Sequence, residues 1–160
     1  MSDLATFLKE QSAGGLLPWR IQMSAAERYG VSPAVVEEEA LELEILPARY
    51  QRNRQVISTA NQLTLFRSHV AVIGCGGLGG HIIEQLARLG VGHLTVIDPD
   101  TFEEHNLNRQ ILSSPLTLGL AKVEAAAARV REINPAVSVT PVRKALTREN
   151  GKGLLQGCTL

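Results

Sequence analysis

The chain has 160 residues, of which 44% are hydrophobic and 20% charged, and its formal net charge at pH 7 is zero. This length and composition are typical of about one folded domain. No apolar run approaches the roughly 20 residues that cross a bilayer, and residues 1–15 lack the features of a secretory signal, so we expect a cytoplasmic protein with no membrane partner. The two cysteines do not form a CxxC pair, which argues against a four-cysteine zinc site and a disulfide framework.

The charges are unevenly distributed along the chain. Residues 1–48 contain three basic and eight acidic residues, whereas residues 49–160 contain 13 basic and eight acidic residues. The basic surplus of the second part suits an anionic ligand. Residues 25–32 resemble a helix-turn-helix, but the helix that would enter DNA is rich in glutamate, so nucleic acid is not an expected partner.

Residues 1–48 are predicted to form a helical N-terminal extension, ahead of a nucleotide-binding domain over residues 49–160. Glycine and proline interrupt the helical pattern of the extension at Gly14-Gly15, Pro18, Gly30 and Pro33. Ser32-Pro33 is a typical helix start, because a serine can cap the first turn and proline fits the first helical position.

Three short apolar stretches rich in β-branched residues, each followed by a helical pattern, predict alternating strands and helices. We predict strands at residues 70–73, 94–97 and 137–142, and helices at residues 79–89, 118–133 and 147–155. This alternation is typical of an α/β fold, a Rossmann-like open parallel sheet with flanking helices and right-handed crossovers. Residues 158–160 are predicted to begin a fourth strand.

A glycine-rich loop joins the first of these strands to its helix. Its sequence is Gly74-Cys75-Gly76-Gly77-Leu78-Gly79, with glycines at the first, third and sixth positions. Such a loop turns tightly and brings backbone N–H groups and a helix N-terminus towards phosphate oxygens, which predicts a nucleotide site. Cys75 is interpreted as a small, adaptable side chain of this loop and not as a reactive thiol.

Asp98 ends the second predicted strand, 24 residues after the first glycine of the loop. An acidic residue at this place can accept hydrogen bonds from ribose hydroxyl groups. The alternative is that Asp98 only caps the turn Asp98-Pro99-Asp100. Up to this point NAD and ATP fit the pattern equally well.

Cationic residues follow the second strand and favour phosphate chemistry. Arg109 lies in the segment His105-Asn106-Leu107-Asn108-Arg109-Gln110, and Lys122 follows Gly119. Attack at the α-phosphate of ATP builds negative charge on oxygen atoms, which arginine and lysine can stabilise. Taken singly, each cation would more often be a solvated surface residue than a ligand-binding one.

Several motifs occur together in one order. They are Arg49-Tyr50-Gln51-Arg52, the glycine loop, Asp98-Pro99-Asp100, Asn106-Leu107-Asn108-Arg109-Gln110, Gly119 with Lys122, and Ile133-Asn134-Pro135. In this combination the sequence resembles the ThiF/MoeB/HesA family, the bacterial relatives of ubiquitin-activating enzymes, over about residues 49–142. The resemblance implies an adenylyltransferase that uses ATP with magnesium to convert the C-terminal carboxylate of a ubiquitin-like or sulfur-carrier protein into an acyl-adenylate.

The resemblance also implies roles for individual residues. Arg109 and Lys122 would act in catalysis on the phosphates, with Arg52 as an arginine finger that each subunit of a homodimer supplies to its partner. Arg54-Gln55 offers a competing alignment for that finger. The nucleotide-binding residues would be Gly74, Gly76, Gly77, Gly79, Asp98, Asp100, Asn106, Arg109 and Lys122.

Part of the family pattern is missing from this sequence. The magnesium-binding aspartate of the family follows the next strand and would lie beyond Leu160, so no metal ligand is assigned in this chain. The chain is therefore interpreted as the N-terminal, nucleotide-binding part of an adenylyltransferase. Two alternatives remain: a non-catalytic nucleotide-binding or scaffold module of the same fold, and an NAD(P)-dependent oxidoreductase.

Overall fold

The computed structural model describes residues 3–159. It divides into two compact units, with the boundary between Arg67 and Ser68. This division by packing comes later in the chain than the change in charge and pattern at residue 48. None of the helices within residues 3–159 is both long enough and apolar enough to cross a bilayer.

The N-terminal unit is mainly helical. Its elements are α1 (Asp3–Gln11), β1 (Leu16–Leu17), α2 (Trp19–Tyr29), α3 (Pro33–Glu42), β2 (Leu46–Pro47), a 3-10 helix (Ala48–Asn53) and α4 (Thr59–Phe66). The short strands β1 and β2 pair in parallel. Apolar faces of α1, α2 and α3 form the core, which includes Leu4, Leu8, Leu17, Ala25, Ala26, Val36, Ala40 and Ile45.

The helix boundaries of this unit follow from the residues that interrupt the pattern. Gly30 adopts a left-handed conformation with φ of 63° and ends α2. The Oγ of Ser32 accepts a hydrogen bond from the N–H of Val35 at 3.3 Å, and Pro33 is the first residue of α3. The predicted helix start at Ser32-Pro33 is therefore confirmed.

The C-terminal unit contains a three-stranded parallel sheet in the order β3-β4-β5. Its elements are β3 (His69–Ile73), α5 (Gly77–Leu89), β4 (His93–Ile97), a 3-10 helix (Glu104–Asn106), α6 (Lys122–Ile133), β5 (Ser138–Val142) and α7 (Arg148–Leu154). Strand and helix alternate, and α5 and α6 pack against each other and against the sheet. This confirms the predicted α/β, Rossmann-like fold.

Two details of this unit differ from the sequence-based expectation. The helix predicted from residue 118 begins at Lys122, because Gly119 has a left-handed φ of 80° and Ala121 forms a β-bridge with Thr101. At the predicted fourth strand, the N–H of Thr159 donates to the carbonyl of His69 at 2.7 Å, although residues 158 and 159 are not assigned to a strand. Leu160 lies outside the described residues.

Candidate functional site

The glycine loop leaves β3 through a turn that requires glycine. Gly74 has a φ of 92°, which L-residues with side chains rarely adopt. A Cβ atom at Gly79 would lie 1.7 Å from the carbonyl oxygen of Gly74, which leaves no room for any side chain. The N–H of Gly74 donates to the carbonyl of Ile97 at 2.7 Å and joins the loop to the end of β4.

The N-terminus of α5 has no side-chain cap. Gly76 occupies the cap position without a side-chain hydrogen bond, and the helix continues through Gly77, Leu78 and Gly79. The N–H groups in the first turn of a helix have no partner within the helix and carry partial positive charge. Phosphate oxygens are suited to accept from such groups, and glycines allow them to approach closely.

Asp98 fastens the glycine loop to the end of β4. One carboxylate oxygen accepts from the N–H of Cys75 at 2.7 Å, and the other accepts from the N–H of Asp100 at 2.8 Å. The contact with Asp100 is the turn cap that the sequence offered as an alternative role for Asp98, whereas the contact with Cys75 is an additional one. Because each carboxylate oxygen has two acceptor sites, both oxygens can still accept from a sugar hydroxyl.

Lys122 lies at the start of α6 and is buried, with 9% of its side chain exposed. Its Nζ lies 3.2 Å from Oδ2 of Asp100 and 5.9 Å from the centre of the Phe102 ring. The N–H of Lys122 donates to the carbonyl of Asp100 at 3.0 Å. A buried ammonium group needs a compensating charge, which Asp100 supplies and which an anionic ligand could also supply.

Residues 109–112 lie against the start of α5. A Cβ atom at Gly76 would lie 3.6 Å from Oε1 of Gln110, and one at Gly77 would lie 3.8 Å from the carbonyl oxygen of Arg109. Asn106 is buried, and its Oδ1 accepts from the N–H of Glu103 at 3.0 Å. This contact leaves the Nδ2 of Asn106 as the group that can donate to a ligand.

Arg109 is exposed and folds onto its own segment. Its Nη1 donates to the carbonyl of His105 at 2.6 Å and to Oδ1 of Asn108 at 2.9 Å. The guanidinium group has five N–H donors, so donors remain for a phosphate. The position of Arg109 beside the glycine loop agrees with the predicted role, which itself remains a prediction.

Two residues of this site had no role assigned from the sequence. Gln110 is buried, and its Oε1 has no hydrogen-bond partner within residues 3–159, which marks it as an acceptor beside Gly76. Its place in the Asn106–Gln110 motif was the available signal. Phe102 is buried next to Lys122, and no sequence pattern distinguished it from an ordinary core residue.

Cys75 is fully buried within the glycine loop. Burial, together with the nearby negative charge of Asp98, raises the pKa of its thiol to about 12, against a smaller opposing effect of Lys122. The thiol therefore stays protonated at neutral pH, as expected for a packing residue and not for a nucleophile.

The two arginines considered for the finger role both lie in the N-terminal unit. Arg52 belongs to the 3-10 helix Ala48–Asn53, and Arg54 follows that helix directly. Together with Gln51 and Gln55 they line a concave surface that encloses a volume of about 600 Å³. The structure does not separate the two alternatives, because both guanidinium groups belong to the same polar surface.

The site combines three features of the C-terminal unit that suit the phosphate groups of a nucleotide. They are a glycine that no other residue can replace, at Gly79, an uncapped helix N-terminus at Gly76, and the buried Lys122. Within residues 3–159 no group of three or more histidine, cysteine, aspartate or glutamate residues could hold a metal ion.

Comparison with known proteins gives consistent similarities. Residues 50–160 match the model of the ThiF family. The chain is 40% identical over 111 residues to the SAMP-activating enzyme E1 of Haloferax volcanii, covering 68% of this chain and 41% of that protein. It is also 40% identical over 112 residues to the molybdopterin-synthase adenylyltransferase of Salmonella typhimurium, covering 68% and 45%.

A solved structure with a similar fold is that of the E. coli tRNA N6-threonylcarbamoyladenosine dehydratase in complex with ATP. The TM-score is 0.66 at 34% sequence identity, over 69% of this chain and 45% of that chain. This chain spans less than half of the length of each of these three proteins. The similarities therefore leave more than half of each of these proteins unmatched.

Proposed function

The chain belongs to the ThiF family, and we propose that it is the ATP-binding part of an adenylyltransferase that activates the C-terminal carboxylate of a ubiquitin-like or sulfur-carrier protein. The observation that carries this proposal is the uncapped N-terminus of α5 at Gly76, with Asp98 and Lys122 in the same unit. The names of the similar adenylyltransferase and SAMP-activating enzyme support the same reaction class.

In this proposal each part of the site binds one part of ATP. The phosphates lie against the glycine loop, where Gly76, Gly77 and Gly79 supply N–H groups and Gly74 provides the tight turn that brings them close. A ribose hydroxyl donates to the free acceptor sites of Asp98. Asn106, Arg109 and Lys122 donate to the phosphates, and Asp100 holds the ammonium group of Lys122 in place.

The proposed reaction is a nucleophilic substitution at the α-phosphorus of ATP. A carboxylate oxygen of the carrier forms a bond to the α-phosphorus, and the bond from this phosphorus to the bridging oxygen of pyrophosphate breaks. The electron pair of that bond leaves with pyrophosphate, so negative charge grows on its oxygens. Arg109 and Lys122 would stabilise this charge, and Mg²⁺ would enter bound to the triphosphate.

A homodimer completes the proposal. Arg52, or Arg54 in the alternative alignment, would reach the nucleotide bound by the partner subunit and act as an arginine finger on the same developing charge. The exposure of both arginines on one concave surface supports this role. Elution of the protein as a strict monomer in size-exclusion chromatography would contradict this part.

A second candidate is a non-catalytic nucleotide-binding module in the cytoplasm. The observation in its favour is that the uncapped N-terminus of α5 at Gly76 and the carboxylate of Asp98 are sufficient for nucleotide binding alone. Such a module would bind ATP and AMP but would not exchange pyrophosphate into ATP, even with a carrier protein present.

Isothermal titration calorimetry and carrier-dependent ATP–pyrophosphate exchange test the proposal together. We expect ATP to bind, and Lys122→Ala and Arg109→Ala each to weaken binding or slow exchange about tenfold or more. Lys152→Ala is the control, because Lys152 is an exposed lysine of α7. Binding of NADH in preference to ATP would favour the oxidoreductase, and unchanged exchange in both variants would refute the assigned roles.

A further inference from the structure

Glu37 is a fully buried carboxylate in the N-terminal unit, with 0% exposure. Its Oε1 accepts a hydrogen bond from the hydroxyl of Tyr50 at 2.7 Å. Its Oε2 accepts from Nε2 of Gln22 at 2.9 Å and from Nη1 of Arg49 at 2.8 Å. Three donors from α2 and from the 3-10 helix Ala48–Asn53 thus converge on one side chain of α3.

Arg49 is held on several sides. Its Nη2 donates to Oε1 of Gln22 at 2.5 Å, and its guanidinium carbon lies 4.9 Å from the centre of the Trp19 ring and 5.6 Å from that of Tyr50. The guanidinium group of Arg49 therefore interacts with neighbouring side chains of its own unit. Arg49 thus serves as an anchor, whereas Arg52, three residues later, has an exposed side chain.

A buried ion pair is an inefficient means of stabilising a fold. Here Glu37 is fully buried and the side chain of Arg49 is 21% exposed. Removing charges from water costs free energy that their attraction only partly offsets, and well-packed apolar residues often stabilise a fold as well or better. Such a pair does restrict geometry, because the hydrogen bonds of a carboxylate are directional. Glu37 binds two consecutive residues, Arg49 and Tyr50, so it fixes both the position and the rotation of the 3-10 helix.

We infer that Glu37 is a positioning residue for the arginine finger, because it anchors the 3-10 helix that carries Arg52. This inference rests on the proposed function, since it needs a nucleotide in the partner subunit for the finger to contact. It also gives the acidic N-terminal extension a role in the reaction: its helix α3 supplies the anchor of a group that acts in the other subunit.

The substitution Glu37→Gln tests this role, with Glu38→Gln as the matched control on the same helix. Gln keeps the size of the side chain but loses the charge and one acceptor oxygen. Glu38 has a 43% exposed side chain that pairs with Arg67. We expect Glu37→Gln to lower kcat of carrier-dependent exchange about 10- to 100-fold, because a small displacement of a catalytic group is costly.

The KM for ATP should stay within about twofold of the wild-type value, because an arginine finger acts mainly on the transition state. Glu38→Gln should match the wild type in both constants. A wild-type kcat in Glu37→Gln would overturn the inference.

Mixed dimers separate positioning from misfolding. In a dimer of Glu37→Gln and Lys122→Ala subunits, the Glu37→Gln subunit keeps its own Lys122 and receives an anchored Arg52 from its partner. One of two sites is then complete, so about half of the wild-type kcat should return. A dimer of Glu37→Gln and Arg52→Ala subunits has no complete site, so its kcat should not rise above that of the Glu37→Gln dimer.

Recovery in the second mixture but not in the first would overturn the inference. An Arg52→Ala dimer with full activity would overturn it for Arg52. The co-expressed subunits carry two different affinity tags, so that only mixed dimers are assayed.

Amide hydrogen exchange provides a readout that does not depend on activity. In Glu37→Gln, the amides of residues 48–53 should exchange about tenfold faster or more, whereas those of α5 should not change. Equal protection of residues 48–53 in both proteins would overturn the anchoring. If the wild type exchanges no pyrophosphate but this segment still loosens in Glu37→Gln, the proposed function fails while the anchoring holds.

Discussion

The two edges of the parallel sheet differ in what they leave available to a ligand. At the carboxyl edge, β3 runs into the glycine loop and β4 ends at Asp98. The glycines of the loop have no side chains, and within residues 3–159 the Asp98 carboxylate binds only backbone N–H groups. The first N–H groups of α5 and further acceptor sites of Asp98 therefore stay available to a ligand. In open α/β sheets this is the edge at which ligands bind.

At the amino edge, the side chains satisfy one another. His69 and His93 begin neighbouring strands and stack with ring centres 3.8 Å apart and an interplanar angle of 1°. The Nε2 of His69 lies 2.7 Å from Oγ1 of Thr95, and that of His93 lies 2.8 Å from Oγ1 of Thr140. Because these side chains bind one another, the two histidines are interpreted as structural residues of the sheet.

The largest effect that tests this difference is expected from Gly79→Ala. The added Cβ would lie 1.7 Å from the carbonyl oxygen of Gly74, so the glycine loop would have to move. We expect a loss of about 2–3 kcal/mol in the free energy of unfolding and loss of detectable ATP binding. Urea denaturation and calorimetry measure the two effects.

The control for this variant is Gly153→Ala in α7. A Cβ at Gly153 would meet nothing within 4 Å, and alanine is the better helix former. The control should be neutral or stabilising by up to about 1 kcal/mol. Unaltered ATP binding in Gly79→Ala would contradict the role of the carboxyl edge.

The next effect concerns Asp98→Asn. The N–H groups of Cys75 and Asp100 donate to different oxygens of Asp98, so an asparagine would place its NH₂ group opposite one of these two donors. We expect a loss of about 1–3 kcal/mol of stability and about tenfold weaker ATP binding. Asp3→Asn, which changes an exposed aspartate, is the control. Equal behaviour of the two variants would show that Asp98 is dispensable.

Local patterns predicted much of the carboxyl edge. Glycine spacing and apolar stretches located β3, α5 and β4 to within a few residues, because strand, tight turn and helix each depend on neighbouring residues. The start of α6 was misplaced by four residues, since the left-handed turn at Gly119 and the bridge to Thr101 are not visible in helical periodicity.

Contacts between distant residues were not predictable in this way. The second contact of Asp98, to Cys75, depends on the register that pairs Ile73 with Ile97. Nothing in the local sequence distinguishes Glu37 from its neighbours Glu38 and Glu39. It is buried because Arg49 and Tyr50, 12 and 13 residues later, fold back onto it. The separation of the two units at Arg67 likewise depends on packing.

A smaller effect is expected at the amino edge, in the pH dependence of stability. Burial, and secondarily the proximity of His69, lowers the pKa of His93 below 6.5 in the folded state. Below pH 6.5 the unfolded state therefore binds more protons, and stability falls as the pH decreases towards the folded pKa. The loss should be less than about 1 kcal/mol between pH 7 and 5.

Urea denaturation as a function of pH measures this effect. His93→Gln should flatten the dependence, because it removes the titrating group. His81→Gln should keep the wild-type dependence, since His81 is an exposed histidine of α5. A dependence that persists unchanged in His93→Gln would show that the stacked pair does not control stability in this range.

The smallest effect is expected from thiol modification. It tests the reactivity of Cys75, inside the glycine loop, against that of Cys158, which lies near His69 at the amino edge. At pH 8 the Cys75 thiol, with a pKa of about 12, is almost wholly protonated and buried, whereas Cys158 is partly exposed, with its sulfur 3.7 Å from Nε2 of His69. Iodoacetamide should therefore label the native protein once, at Cys158, and leave ATP binding unchanged. Peptide mass spectrometry locates the label, and Cys158→Ser should then remain unlabelled until urea unfolds the protein. Rapid labelling of Cys75 in the native state would mean that the glycine loop opens readily. The carboxyl edge of the sheet would then not hold a preformed nucleotide site.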